Sequence, residues 1–199
     1  MKPALNRFFF CICFLAVSCS ANADTNQTPY LYVLGVIQDA GYPQAGCLAP
    51  HCLPGWQDVR KRRGAVSLGL IDPEAKKKFM FEATPNFPGQ YYDLQVEAPD
   101  AQFDFGGVFL THAHIGHYTG LMFLGHEVMG TSNVPVYAMP RMTGFLQKNG
   151  PWSQLITFKN IALQPLQDNL AVNLGSVKVT PFLVPHRDEY SETVGYRIA

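Results

Sequence analysis

Residues 109–121, with the sequence FLTHAHIGHYTGL, are the segment that most strongly indicates the fold of the chain. Three of the six histidines of the chain, His112, His114 and His117, lie here, directly after an apolar segment at 105–111 that predicts a strand. Side chains two positions apart on an extended segment project to the same side, so we expect His112 and His114 to converge on one ion. His117 lies beyond a turn and can approach from another direction. Neutral imidazole is a preferred zinc ligand, and three protein ligands leave one position for water, so the cluster predicts a catalytic zinc site.

The surrounding segments predict a mixed α/β fold. Apolar and β-branched runs predict further strands at 30–36, 64–72, 78–84, 134–138, 176–184 and 192–198. The first of these is expected to be buried. Helices are expected at 118–129 and from Pro140 to Gly150, and a segment rich in Gly and Pro at 37–56 predicts a long loop. This order of elements favours a sandwich with helices outside the sheets.

The stretch at 109–121 resembles the His-x-His-x-Asp-His signature of the metallo-β-lactamase-fold hydrolases. Two other stretches, VLGVIQDAGYPQAGC at 33–47 and FEATPNFPGQ at 81–90, are similar to the exported relatives of pyrroloquinoline-quinone biosynthesis protein B. The resemblance covers residues 31–198. It implies an αββα sandwich and a metal-dependent hydrolase that acts on a small molecule.

The resemblance also implies further site residues. The family takes its next metal ligand from a later strand end, shortly before a Gly-Tyr pair, and His186 matches that position 74 residues beyond His112. Glu82 stands where the family generally places an Asp that holds the metal-binding loop, and a glutamate can accept the same hydrogen bonds. An ordinary carboxylate at a strand end is the alternative for Glu82. The expected catalytic residues are His117 and Glu82, and the expected metal ligands are His112, His114, His186 and His117.

The chain departs from the family pattern in two places. Gly116 stands where the signature has Asp, which in the family binds a second metal ion and orients the attacking water. Because glycine offers no ligand atom, a second metal site would lack one of its ligands. We therefore expect a single zinc site. The family also continues beyond the Gly-Tyr strand with further ligands. We therefore expect residues 24–199 to form a truncated or degenerate N-terminal part of the domain, incomplete at its C-terminus, with the strand at 192–198 on an edge.

The first 23 residues have the layout of a secretory signal peptide. Lys2 and Arg7 precede an apolar run at 8–17, and small residues lead to a cleavage position after Ala23. The run is shorter than the roughly 20 residues that a membrane-spanning helix needs, so no integral membrane segment is expected after cleavage. A lipoprotein anchored through Cys19 and an uncleaved anchor are the alternatives. The expected location is periplasmic or secreted.

Cleavage after Ala23 would leave two cysteines, Cys47 and Cys52. An oxidising compartment favours a disulfide between them, which can form if their Cα atoms lie within about 7 Å. Together with His51 they also offer three zinc ligands, although a structural zinc site takes four. A disulfide, a metal site and free thiols all stay open on the sequence alone.

The composition excludes some classes of function. The chain is 47% hydrophobic and 15% charged, with 15 basic and 15 acidic residues, which excludes a disordered chain and gives no sign of a nucleic-acid partner. The first hypothesis is an exported zinc hydrolase that uses a metal-bound hydroxide on an ester, thioester, phosphodiester or lactam. A non-catalytic metal- or ligand-binding relic or fragment of this fold is the alternative, favoured by Gly116. RNA processing by an RNase Z-like member conflicts with export and with the neutral charge.

Overall fold

Nine strands form two sheets in the computed structural model, which describes residues 28–38 and 40–199. The larger sheet has its six strands in sequence order: β1 (Tyr30–Gly35), β2 (Ser67–Asp72), β3 (Lys77–Phe81), β4 (Asp104–Phe109), β5 (Val134–Ala138) and β6 (Ile161–Pro165). Strands β1 to β3 pair antiparallel, and β3 to β6 pair parallel. The smaller sheet is antiparallel and consists of β7 (Val172–Asn173), β8 (Lys178–Leu183) and β9 (Val194–Ile198). The predicted signal peptide at 1–23, with Cys19, lies outside the described residues.

Five α-helices connect these strands within the described residues. They are α1 (Leu53–Gln57), α2 (Phe87–Glu97), α3 (Ile115–Tyr118), α4 (Pro140–Lys148) and α5 (Trp152–Thr157). Short 3-10 helices follow α1 at Val59–Lys61 and α3 at Thr119–Leu124. A proline occupies the first turn of α1, α2 and α4, where its fixed φ suits the helix and its missing N–H costs nothing. None of the helices in 28–38 and 40–199 has the length and apolar character needed to cross a bilayer.

The apolar residues form two layers on opposite faces of the six-stranded sheet. One layer packs side chains such as Val108 and Val136 against Leu94, Leu121 and other residues of the helical regions. The other layer joins the two sheets and includes an aromatic group around Phe109, described next. Because alternate residues of a strand point to opposite faces, a strand between two such layers is apolar on both. The mixed α/β sandwich predicted from the sequence is confirmed.

Phe109 lies at the centre of the layer between the sheets. Its ring stacks on Tyr137 with centroids 4.2 Å apart and on Phe81 at 5.1 Å, and it meets the edge of Tyr196 at 5.5 Å. These residues come from β5, β3 and β9, so the aromatic group ties both sheets together just below the ends of β3 and β4. The candidate site lies at the ends of these strands, so close packing of the aromatic group holds its supporting backbone rigidly.

Several sequence-based expectations need correction. The strand at 30–36 is not a buried one: β1 is an edge of the six-stranded sheet, and Leu31 and Val33 are 48% and 59% exposed. The helix expected at 118–129 ends at Leu124, where Gly125 continues in an extended conformation. Helices α2 and α5 were not expected, and α1 lies partly inside the predicted loop at 37–56. Within the described residues, β9 pairs in its sheet with β8 alone and so lies at an edge, as expected.

Candidate metal centre

The polar residues of the candidate site follow the ends of three strands. Phe81 and Phe109 are partners at the ends of β3 and β4, which are parallel neighbours, so Glu82 and the segment beginning at Thr111 emerge at the same edge of the sheet. His186 follows β8 of the other sheet. Val194, the first residue of β9, ends the loop after β8, and its backbone amide donates to the carbonyl oxygen of Thr111 in the loop after β4 over 3.2 Å. The sandwich thus brings together segments that lie far apart in the sequence.

Three imidazoles converge at this edge. Nε2 of His112 lies 3.0 Å from Nδ1 of His114, and Nε2 of His186 lies 3.2 Å from the same Nδ1. One nitrogen from each of the three residues lies within 4.8 Å of the others. Two nitrogens bound to one zinc ion at about 2.0–2.1 Å with tetrahedral angles are roughly 3.3 Å apart. The two spacings to Nδ1 of His114 therefore match ligand pairs of a tetrahedral zinc site.

The remaining nitrogens of the first two imidazoles have partners of their own. Nδ1 of His112 lies 2.8 Å from Oγ1 of Thr111, and Nε2 of His114 lies 3.1 Å from Oε2 of Glu189. A proton on each of these outer nitrogens satisfies both contacts and directs the lone pairs of the inner nitrogens to a common point. Hydrogen bonds from its own backbone amide and from His114 lower the pKa of Glu189, so this carboxylate stays ionised as an acceptor.

His112 is the most deeply placed of the three histidines and is 7% exposed. Burial, reinforced by the positive charge that His117, His114 and His186 can carry, lowers its pKa from 6.5 to about 3. A metal ligand must be the neutral imidazole, because the protonated form has no free lone pair. The position of His112 therefore keeps it in the form that binds metal.

Glu82 joins the segment with His112 and His114 to the sheet. Its Oε1 accepts a hydrogen bond from the backbone amide of Thr111 over 3.2 Å, and its Oε2 lies 3.3 Å from Nδ1 of His117. The residue is buried and has a φ of 74°, a conformation that favours glycine, so the surroundings hold it in a strained backbone geometry. Glu82 thus has the loop-holding contacts that the sequence comparison implied.

His117 does not belong to the group of three convergent nitrogens. Its ring centroid lies 4.2 Å from that of His112, and its Nδ1 is directed to Glu82. The roles assigned to His117, as a further ligand and as a catalytic residue with Glu82, stay predictions. The same holds for ligation by His112, His114 and His186, although the structure does bring these three together.

Two contacts of the site were not anticipated from the sequence. Oγ of Ser191 accepts a hydrogen bond from the backbone amide of Ala113 over 2.8 Å, and the carboxylate of Glu189 contacts His114. Both residues lie within five positions of His186, in the loop after β8. Their short distance from His186 in the sequence is a weak indication of these roles. A hydrogen bond to a backbone amide produces no recognisable sequence pattern.

Helix α4 anchors the same loop from outside. The backbone amide of Arg141, at the start of the helix, donates to Oε2 of Glu192 over 3.0 Å, and its guanidinium donates to the carbonyl oxygen of Asp188 over 2.7 Å. Tyr196 adds a further link, because its hydroxyl donates to the carbonyl oxygen of Leu110 over 2.6 Å. Burial, together with the charge of Glu82, raises the pKa of Tyr196 well above 10, so the hydroxyl keeps its proton and remains a donor.

A family model described as a beta-lactamase superfamily domain matches residues 77–199, which are more than half of the chain. The chain belongs to the beta-lactamase superfamily. The matched region includes Glu82 and all three convergent histidines. The metallo-β-lactamase fold that the sequence predicted is confirmed.

Relatives within the superfamily agree with this assignment. Coenzyme PQQ synthesis protein B of Xanthomonas oryzae pv. oryzae is 25% identical over 160 residues, which are 78% of this chain and 52% of that protein. The chain therefore spans about half the length of that relative. The predicted similarity to this protein is confirmed.

Solved structures show the same fold. Zn²⁺-bound PqqB from Methylobacterium extorquens superposes with a TM-score of 0.68 at 21% identity, covering 85% of this chain and 61% of that one. A diphosphatase from the PhnP family superposes with a TM-score of 0.63 at 23% identity and the same coverage. The YhfI protein of Bacillus subtilis gives a TM-score of 0.53 at 14% identity, covering 87% and 59%. These similarities concern the fold.

Two cavities border the candidate centre of this superfamily member. One, of about 460 Å³, is lined by His114, Gly116 and Arg187 together with small and apolar residues. The other, of about 350 Å³, has Glu82, Thr111 and His117 among mainly apolar residues of β1, β2 and β9. Volumes of this size suit small molecules. The candidate centre is thus open to a small ligand from the side of His114.

Cys47 and Cys52 form a disulfide in the structure, with their Cα atoms 6.0 Å apart. Of the three states that the sequence left open, the structure has the first. His51 lies beside the bridge, with its Nε2 3.8 Å from Sγ of Cys47. The same three residues have donor atoms close enough for a metal ion, but a sulfur atom in a disulfide is not the thiolate that binds zinc.

Proposed function

We propose that the protein is an exported, zinc-dependent hydrolase whose metal ion is held by His112, His114 and His186. The observation that carries the proposal is the convergence of one nitrogen from each residue, with spacings of 3.0 and 3.2 Å. The zinc in the PqqB structure from Methylobacterium extorquens supports the choice of metal. When bound, zinc acidifies water and polarises the carbonyl or phosphoryl oxygen of a substrate.

The residues of the chain contribute orientation and proton handling. Thr111 and Glu189 hold the outer nitrogens of His112 and His114, which keeps the inner nitrogens directed toward the ion. Glu82 fixes the backbone of the same segment through the amide of Thr111. The pair formed by Nδ1 of His117 and Oε2 of Glu82, 3.3 Å apart, can hold a proton next to the centre.

The proposed substrate is a small molecule bearing an ester, thioester, phosphodiester or lactam. The cavity of about 460 Å³ beside His114 has room for such a molecule. The diphosphatase of the PhnP family, which shares the fold, supports a hydrolytic reaction of this kind. The balanced charge of the chain favours a small molecule over a nucleic acid.

Export is proposed from the N-terminal segment. The basic residues, the apolar run at 8–17 and the cleavage position after Ala23 support secretion to the periplasm or beyond. The disulfide between Cys47 and Cys52 is consistent with an oxidising compartment. Fractionation of expressing cells, with the mass of the isolated chain, tests this part: a mature chain that begins at Asp24 is expected in the periplasmic fraction, and a full-length cytoplasmic chain would contradict it.

Gly116 favours a second candidate function, a non-catalytic metal- or ligand-binding form of the fold. Glycine supplies no ligand for a second ion at a position where the family signature has Asp. In this case the three histidines would still bind zinc, but no substrate would be turned over.

Metal analysis and activity assays together separate these proposals. The zinc-dependent hydrolase requires about one zinc per chain, lost in His114→Ala and retained in His126→Ala, whose exposed side chain lies against Phe158. It also requires hydrolysis of at least one member of an ester, thioester, phosphodiester and lactam panel, abolished by a chelator and by His186→Ala. Zinc binding without turnover would favour the second candidate. A wild-type chain that binds no zinc would contradict both.

A further inference from the structure

We propose that the cavity beside His114 binds an anionic group of the substrate, a carboxylate or a phosphate, on the guanidinium of Arg187. The inference rests on the proposed function and names the substrate class that its site would take. It concerns the substrate and adds no residue to the metal centre.

Arg187 is well placed for this role. It directly follows His186 in the chain and lines the same cavity of about 460 Å³ as His114. A substrate in this cavity would therefore lie between the candidate ion and a permanent positive charge. Arg offers several N–H donors in a planar arrangement that matches carboxylate and phosphate oxygens.

None of the described residues that line the cavity is an acid. Among the described residues that line it, Arg187 is the single permanently charged one, and His114 is the single other residue that can become charged. No carboxylate of residues 28–38 or 40–199 lies within ion-pair distance of the Arg187 guanidinium. Two other arginines show the contrast, because Arg60 pairs with Asp58 and Arg141 pairs with Asp188. Glu189 interacts with Arg187 at longer range, and within the described residues the guanidinium has no ion pair that a ligand would have to displace.

Gly116 supports the same conclusion. It lines this cavity, at a position where the signature of the family has an aspartate. An aspartate there would place a negative charge in the cavity that holds Arg187. With glycine, this part of the cavity wall carries no negative charge and leaves room for an anion.

The test measures anion binding directly, on the full chain loaded with zinc and checked by metal analysis. Succinate and inorganic phosphate are titrated calorimetrically into the wild type, Arg187→Gln, Arg187→Lys and Arg197→Gln. The last variant is the matched control, because Arg197 is an exposed residue of β9 outside this cavity. Loss of a charge-assisted hydrogen-bonded pair is expected to weaken binding by about 10-fold or more in Arg187→Gln, less in Arg187→Lys and not in Arg197→Gln.

The two anions identify the group that is recognised. Weakening of succinate alone assigns a carboxylate, weakening of phosphate alone assigns a phosphate, and weakening of both assigns an anion site without preference. No binding of either anion to the wild type, or equal binding by wild type and Arg187→Gln, would overturn the inference.

Activity distinguishes failure of the inference from failure of the proposed function. Arg187-dependent anion binding without hydrolysis of any substrate would contradict the hydrolase and leave the anion site. Chelator-sensitive hydrolysis in which Arg187→Gln loses no preference for an anionic ester over its neutral counterpart would contradict the anion site and leave the hydrolase.

Discussion

The hydroxyl of Ser191 accepts a hydrogen bond from the backbone amide of Ala113 over 2.8 Å, although 78 residues separate the two in the chain. The same hydroxyl donates to the carbonyl oxygen of Glu192 over 2.8 Å. Ala113 lies between two candidate ligands, His112 and His114, and Ser191 lies in the loop that carries the third. This contact therefore sets how the two segments that carry the candidate ligands face each other.

Replacing Ser191 by alanine should weaken zinc binding. The amide of Ala113 would lose its buried acceptor, and the loop after β8 would lose its register with the loop after β4. Contacts that orient ligands typically contribute about 10-fold or more to metal affinity, and we expect a loss of about 10-fold. Competition with a fluorescent zinc chelator measures it. The exposed Ser132→Ala serves as the control, and an unchanged zinc affinity in Ser191→Ala would show that the contact does not orient the ligands.

Replacing Glu82 by alanine should lower the free energy of unfolding by about 2 kcal/mol, since the partly buried amide of Thr111 would lose a charged acceptor. Alanine and glutamate both carry a Cβ, so the strain of the φ of 74° stays the same and the change reports the side-chain contacts. Glu82→Gln keeps an acceptor for Thr111 and should lose less. Urea unfolding measures both variants against the exposed Glu74→Ala. Equal stability of Glu82→Ala and wild type would exclude the structural role.

Removing the disulfide should affect stability modestly and the metal centre not at all. The bridge from Cys47 to Cys52 closes a loop with a sequence separation of 5, and a loop this short restricts the unfolded chain by at most about 2 kcal/mol. The double variant Cys47→Ser, Cys52→Ser should therefore unfold at slightly lower urea concentration with unchanged zinc affinity. A large drop in zinc affinity would place this loop in contact with the metal centre.

Alkaline pH should destabilise the protein through Tyr91. Burial, reinforced by the charge of Asp100, raises its pKa to about 12. The folded state then holds the phenolic proton more tightly than the unfolded state, so the stabilisation is complete below about pH 10 and is lost as the pH rises from there to about 12. Tyr30, whose pKa is also raised to about 12, contributes in the same window.

The variant Tyr91→Phe isolates this effect. It keeps the ring packing on Phe87 and Phe105 but removes the ionisable hydroxyl, so its free energy of unfolding should fall less steeply above pH 10 than that of the wild type. Denaturant unfolding at a series of pH values measures the slope. The exposed neighbour Tyr92→Phe is the control. An identical slope for Tyr91→Phe and wild type would refute the prediction.

The sequence was informative where chemistry is local. His112 and His186 each follow an apolar run that forms a strand, so the three histidines that converge in the structure could be named from spacing and from the family resemblance. Glu82 was found in the same way, directly after β3. The ends of β3 and β4 lie side by side because these two strands are neighbours in the sheet, and neighbouring strands are typical of elements that follow one another in the sequence.

The sequence was uninformative where the outcome depends on distant partners. The exposure of Leu31 follows from the position of β1 at an edge of the sheet, which its own residues do not reveal. The helix after His117 stops at Leu124, whose carbonyl oxygen accepts a hydrogen bond from the hydroxyl of Thr131. The acceptor role of Ser191 depends on a residue 78 positions away. Each of these features is set by tertiary contacts that have no periodic pattern.

The origin of the three histidines on two different sheets has a thermodynamic consequence. His112 and His114 follow β4 of the larger sheet and His186 follows β8 of the smaller one, so an ion shared by all three would cross-link the two halves of the sandwich. Metal binding and folding are then one coupled equilibrium, in which free zinc at 100 times its dissociation constant adds about 2.7 kcal/mol to the stability of the fold. The melting temperature would then report the zinc concentration around the protein.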